Sequence, residues 1–282
     1  MIPIESATEQ RTEEAISRSL AGSIAVRRFR LGRSGQLIAV RVGLVVFVIL
    51  LWWVLASFAG ISSVILASPG AVIDAARTSG HEVIPQIGST ATEVGIALGI
   101  AWGAGLVLGV TLGSIRPLWP LLGLARSAYA IPIVIIYPIM TVWFGYGAMS
   151  KVIFGAFAGL IPMLLMSASA VATVDPRVTL LFHSLGSSRI ATMRKGIVPA
   201  ILPGIVGALR LSGSLCFVSV IVGEMLVSTR GLGYFIAQSA DTYDTPSVYL
   251  GICCVIILAI LLHALIGLVQ KSSLRYGMRN SF

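Results

Sequence analysis

Six stretches of this chain are apolar enough, and long enough, to cross a lipid bilayer as helices. They run from Val42 to Ile61, Ile87 to Gly113, Leu118 to Phe144, Val152 to Val171, Ile205 to Val227 and Val248 to Leu268. About 20 apolar residues of helix span the hydrocarbon layer. Inside it no water can satisfy a free N–H or C=O, so the backbone must close its own hydrogen bonds. Composition agrees: 56% of the residues are hydrophobic and 11% charged, where a soluble domain carries about a quarter charged. The expected fold is an all-α integral membrane protein with six transmembrane helices. Residues 1–36 form a polar tail, 37–270 the membrane domain and 271–282 a short basic tail.

The basic residues fix the expected orientation. Seven Arg lie up to Arg41, Lys271, Arg275 and Arg279 lie in the C-terminal tail, and Arg177, Arg189, Arg194 and Lys195 lie between the fourth and fifth spans. Arg116 and Arg126 flank the turn between the second and third. The other side holds Arg77, Lys151 and Arg230. Positive loops stay inside, so both termini and the 175–203 stretch are expected in the cytoplasm. The same rule accounts for the net charge of +9 without nucleic acid, for which no basic stripe with interleaved aromatics exists.

Covalent chemistry finds no support. There is no G-x-x-x-x-G-K-[ST] loop for a nucleotide, no H-E-x-x-H and no G-x-S-x-G. Cys216, Cys253 and Cys254 lie inside apolar runs without metal spacing, and His81, His183 and His263 are scattered. No catalytic residue, metal or cofactor is expected.

Within the spans, three features stand out. Pro132 and Pro138 interrupt the third, and such breaks are tolerated where a helix is buried or lines a cavity. The second carries two ladders of four-residue spacing, Gly95-Gly99-Gly103 and Gly105-Gly109-Gly113, which predict close helix packing. Ionisable groups are few: Glu93, Arg210, Glu224 and His263. Arg210 and Glu224 are 14 residues apart, hence nearly on one helical stripe but about 21 Å apart along the axis. Ser214, Phe217 and Ile221 lie between them. Arg210, Ser214, Phe217 and Glu224 are therefore candidates to line a passage, with Arg210 favouring anions. The alternative is that each charge pairs with a neighbouring helix.

The stretch from Asp175 to Pro203 is the longest polar interruption in the second half. Leu180-Leu181-Phe182 precedes Ser184-Leu185-Gly186-Ser187-Ser188, and Pro199 and Pro203 follow. The pattern predicts two short helices hinged at Gly186, a residue able to take φ > 0. A basic, hinged loop of this kind is a docking surface.

That stretch, with Ile197-Val198-Pro199-Ala200-Ile201-Leu202-Pro203, resembles the cytoplasmic motif of bacterial ABC importer permeases: a Glu-Ala-Ala triplet, a Gly shortly after and a Leu-Pro beyond. Leu66-Ala67-Ser68-Pro69, Ile131-Pro132, Tyr137-Pro138, Trp143-Phe144-Gly145 and Glu224 followed by Gly231-Leu232-Gly233-Tyr234 are similar to the subfamily serving nitrate, taurine and alkanesulfonates. The likeness covers about residues 40 to 270. It implies a type I importer permease fold in the bacterial inner membrane. It also implies a second, identical permease subunit, cytoplasmic ATPase subunits and an external solute-binding protein. The resemblance favours as solute a small organic or inorganic anion such as a sulfonate or nitrate, and also admits neutral heterocycles such as vitamin precursors. Coupling to the ATPase would fall to Leu181, Phe182, Leu185, Gly186, Ser187 and Arg189. Here the triplet positions hold Leu180, Leu181 and Phe182, so the acidic residue is missing and docking should be more apolar, with Phe182 as anchor or else tucked against its own span. A membrane scaffold, and after it a channel or secondary carrier, are the competing readings; the kinked third span and the buried charges argue against a scaffold.

Overall fold

The structure, a computed structural model, describes residue 40, residues 42–57 and residues 62–279. The side chains of Thr179, Arg189 and residues 269–279 fall outside that description, as does the expected N-terminal tail. Among the described residues helix is the only regular structure. The chain divides near Pro69 into two units. In the first, α1 (Val42–Ser57) is apolar and exposes its Val, Leu and Phe side chains along its length. Trp52 donates its indole N–H to the Ala67 carbonyl at 3.0 Å. The expected end of the first span, at Ile61, falls outside the described residues.

The second unit holds α2 (Pro69–Thr78), α3 (Gly80–Ser114), α4 (Trp119–Tyr129), α5 (Tyr137–Phe144) and α6 (Ala148–Ala172). After them come α7 (Pro176–Ser184), α8 (Arg189–Thr192), α9 (Val198–Leu226), α10 (Leu232–Asp241) and α11 (Thr245–Arg279). A π turn over Met193–Ile197 joins α8 to α9, so that one helical run extends from Ile190 to Leu226. The fifth span thus begins some fifteen residues earlier than Ile205, because Pro199 and Pro203 sit where a helix tolerates or bends around them rather than ending it. Likewise α11 runs past residue 270, the expected end of the membrane domain.

Glycine sets the central contact. A Cβ on Gly105 would meet Met163 at 2.7 Å, on Gly109 the Leu164 carbonyl at 2.5 Å, and on Gly113 the Ala168 carbonyl at 2.7 Å. Only hydrogen fits at these three positions, which brings the α3 and α6 backbones together. The contacts rise together along both helices, so α3 and α6 run parallel. Residues 115–147 must therefore return from one end to the other. They do so as a broken span: α4 and its 3₁₀ entry, Arg116–Leu118, meet the Ile133–Phe144 segment at 87°. The third span is thus two half-helices and not one kinked helix. Gly155 meets Val220, and Gly159 meets Ser212, so α9 runs antiparallel to α6. The other ladder, Gly95, Gly99 and Gly103, has nothing within 4 Å of a built Cβ.

α6 is the most buried of the long apolar helices and α11 the least. Met163, Ile201, Ile205 and Ala208 form a core cluster with Trp102, Leu106 and Val110 packed on it. The outer face of α11, with Ile256, Ile257, Ile260 and Leu261 exposed, is the kind of surface lipid covers.

Candidate functional site

Three places in the second unit carry polar or irregular structure that packing alone does not demand. The first is a buried charge cluster at the end where α3 and α6 begin. Lys151 and Glu93 form an ion pair at 2.7 Å with side chains 2% and 6% exposed. The Lys151 ammonium also donates to Ser228 Oγ at 2.9 Å and to the Arg230 carbonyl at 3.1 Å. Next to it the Glu224 carboxylate accepts from Thr90 Oγ1 at 2.8 Å and from the Gly233 N–H at 2.8 Å. Thr90 in turn accepts from the Leu232 N–H, and Gln86 Oε1 from the Gly231 N–H. Tyr137 donates its hydroxyl to the Gly223 carbonyl at 2.8 Å. The cluster thereby fastens α3, α5, α6 and α9 to the turn that follows α9.

Gly231 explains the sequence of that turn. Its φ of +112° is a conformation side chains rarely adopt. A Cβ there would also run into the Glu224 carboxylate. The Glu224 … Gly231-Leu232-Gly233 pattern is thus the signature of a carboxylate gripped by a backbone turn. Glu224 is fully buried and Phe217 is 5% exposed, whereas Arg210 is exposed and Ser214 is half-buried. Ser214 Oγ lies 3.0 Å from His263 Nε2. Within this chain the four residues do not share one open lining. Lys151 was read as a loop residue, since apolarity alone started its span at Val152. In the structure α6 begins at Ala148 and takes Lys151 into the interior.

The second place is the break between α4 and α5. A half-enclosed cavity of about 310 Å³ lies there, lined by Ala128–Ile133, Phe157, Ala158, Ile161, Leu215 and Ser219 among others. Pro132 has no N–H to continue the ladder, and the Ile131 and Ile135 N–H groups turn back to Ala128 and Pro132.

The third is the 175–203 turn. Asp175 caps α7 by accepting from the Arg177 N–H at 2.8 Å, with Pro176 in the first turn. At the other end Gly186 takes φ +67°. The Gly186 N–H bonds to His183 O and the Ser187 N–H to Phe182 O, which is the Schellman closure of a helix. Ser188 starts α8, its Oγ accepting from the Ala191 N–H. Phe182 closes on its own chain: a Cβ on Gly196 of the π turn would meet the Phe182 ring at 2.9 Å. Of the expected anchor's two positions, the tucked one is observed. Leu180, Leu181, Leu185 and Ile190, at 67%, 59%, 70% and 71%, are the most exposed apolar side chains of the turn.

Comparison with known proteins gives these features a context. Residues 95–275 match the family described as binding-protein-dependent transport system inner membrane component. The riboflavin transport system permease protein RibX of Chloroflexus aurantiacus is 28% identical over 150 residues, 53% of this chain and 56% of that one. That match spans little more than half of the relative's length. The taurine transport system permease protein TauC of Escherichia coli K12 is 25% identical over 245 residues, 83% of this chain and 88% of that one. In three dimensions the chain is similar to a chain of the methionine ABC transporter MetNI in an inward-facing conformation. The TM-score is 0.58 at 17% identity, covering 68% of this chain and 95% of that one. The fold is that of a type I ABC importer permease, and the chain belongs to the family of binding-protein-dependent transport system inner membrane components, the permeases of ABC transporters.

Proposed function

We propose that this chain is the permease subunit of an ATP-driven importer in the bacterial inner membrane. Two copies form a passage for a small solute, an external binding protein delivers it, and separate cytoplasmic ATPase subunits supply the energy. The chain itself does no covalent chemistry. It turns ATPase closure into a rigid-body change of access. The 37–270 region is the membrane domain, flanked by cytoplasmic tails.

The observation that carries this reading is the 175–203 turn. Leu181, Leu185 and Ile190 are held out from a capped, glycine-closed turn among Arg177, Arg194 and Lys195. Water-exposed apolar side chains grouped on a rigid turn fit a groove on a partner. Gly186 and Ser187 set the angle between the arms, Arg189 opens the second arm, and Phe182 braces the turn against Gly196. The test is co-purification of the ATPase subunit with the permease. A hot-spot side chain is worth about 2 kcal/mol or more. Leu185→Asp should therefore cut ATPase retention by about an order of magnitude or more and leave the permease in the membrane. Normal retention and normal coupling in a Leu181→Asp, Leu185→Asp double variant would refute the docking role.

The solute class has two supports. The resemblance at sequence level favours small anions, and a relative named for taurine agrees with a charged solute. Arg210, exposed on α9, is the cation that could draw an anion. Arg210→Gln should then slow uptake without loss of the assembled complex; wild-type uptake would exclude Arg210 from the path. A relative named for riboflavin supports an uncharged ring system instead.

A further inference from the structure

The cavity at the α4–α5 break sits at mid-depth. Phe157, Ala158 and Ile161 fall in the middle third of α6, and Ser219 enters from α9. A gap in the helical ladder at that depth is tolerated where it is packed in protein or lines a cavity, and here it lines one. Its volume, about 310 Å³, lies at the lower end of the range for small-molecule sites, about 300–1,000 Å³.

Ser219 is the second observation. It is 7% exposed and lines the cavity. A helical Ser or Thr can return its hydroxyl to a carbonyl four residues back. Thr92, Thr111, Ser114 and Ser214 all do so here. Ser219 makes no hydrogen bond to any described residue. Its O–H and lone pairs are therefore open to the cavity it lines, where a hydroxyl can both donate and accept. The rest of the wall is apolar or aromatic, with Phe157, Ile161 and Leu215, and Tyr129 brings the one other side-chain hydroxyl. No charged side chain lines the cavity. Glu93 and Lys151 are committed to each other and Glu224 to Thr90 and Gly233.

From this we propose that the cavity is a way-station for the transported solute, and that it takes an uncharged, ring-bearing organic molecule hydrogen-bonded to Ser219. The proposal rests on the importer reading above and decides between its two solute classes. A charged group seated here would lose its hydration with no opposite charge to replace it. A flat ring would instead bury both faces against Phe157 and the aliphatic wall while one polar edge meets the serine hydroxyl.

The test uses Ser219→Cys in the full importer, with Cys216, Cys253 and Cys254 replaced by Ala. N-ethylmaleimide, which is uncharged, is compared with an anionic sulfonate-bearing thiol reagent. Riboflavin and taurine are then added as competitors. The expected result is labelling by the maleimide at least about ten times faster than by the anionic reagent, slowed severalfold by riboflavin and not by taurine. Ile257→Cys, on the exposed face of α11, should label without protection by either. Ala158→Cys, on the same cavity wall, should repeat the Ser219→Cys pattern and guards against a local defect. Four results overturn the proposal: no labelling at either cavity position, equal labelling by the two reagents, protection by taurine, or protection by neither competitor. Failure of the importer reading would show separately, as a wild-type permease that retains no ATPase subunit.

Discussion

Replacing Lys151 with Met should be among the most damaging single changes in the membrane domain, and a second substitution should partly repair it. Lys151 neutralises Glu93 at 2.7 Å in a site where both side chains are more than nine-tenths buried. Methionine keeps much of the volume and removes the charge and all three donors. Glu93 then remains as a buried carboxylate with no counter-ion, and the Arg230 carbonyl loses a donor. Breaking a buried pair in this way costs about 3–5 kcal/mol. For a chain of this size each kcal/mol shifts Tm by about 2–4 °C, so a drop of about 6–20 °C is expected. The assay is thermal unfolding of the detergent-purified subunit, followed by the loss of its monodisperse peak. In the Glu93→Gln, Lys151→Met double variant the orphaned charge is gone, and it should melt above Lys151→Met alone. A buried pair costs its desolvation whichever partner stays behind, so the effects of the two single changes must not add. Additive losses, or a Lys151→Met protein melting within 2 °C of wild type, would refute the view that Glu93 is held by Lys151.

Other expectations follow from single contacts. Gly109→Leu drives a side chain into the Leu164 carbonyl and Ser167 and should abolish folded subunit in detergent extracts. Gly99→Leu meets open space within the chain, so any loss of assembled complex with a normal yield of subunit would place that ladder at a contact between copies. Gly231→Ala combines a φ of +112° with collision against Glu224. It should cost about 2 kcal/mol or more, read as a fall in Tm, and Glu224→Gln should not restore it because the backbone strain remains.

Much of this molecule follows from linear pattern. Apolar runs with few charges leave the backbone no option but helix, so the existence of α3, α6, α9 and α11 is legible, and both ends of α6 to within a few residues, whereas the starts of α3 and α9 and the end of α11 lie seven or more residues beyond the apolar runs. Asp175-Pro176 and Gly186 mark the ends of α7 because capping and positive φ are local properties of those residue types. Gly105-Gly109-Gly113 advertises a close contact because only glycine allows one.

Partners across the chain are not written locally. Nothing in the spacing tells the Gly95 ladder from the Gly105 ladder; only the position of α6 does, and it lies against one of them. Lys151 reads as a loop charge until α3 brings Glu93 to it from 58 residues away, because hydropathy penalises a lysine whether or not a carboxylate waits for it. Glu224 reads as a possible lining until Thr90 and the Gly233 N–H close around it. Phe182 reads as an anchor until the π turn offers Gly196 as its floor. The prolines of the third span announce a break, yet its 87° bend and the cavity inside it depend on what α6 and α9 leave unfilled. Sequence determined which segments must be helices in lipid, since that is settled by each segment's own backbone and solvent. The tertiary structure alone decided which buried charges are paired and where space remains, since both depend on residues far apart in the chain meeting at one depth.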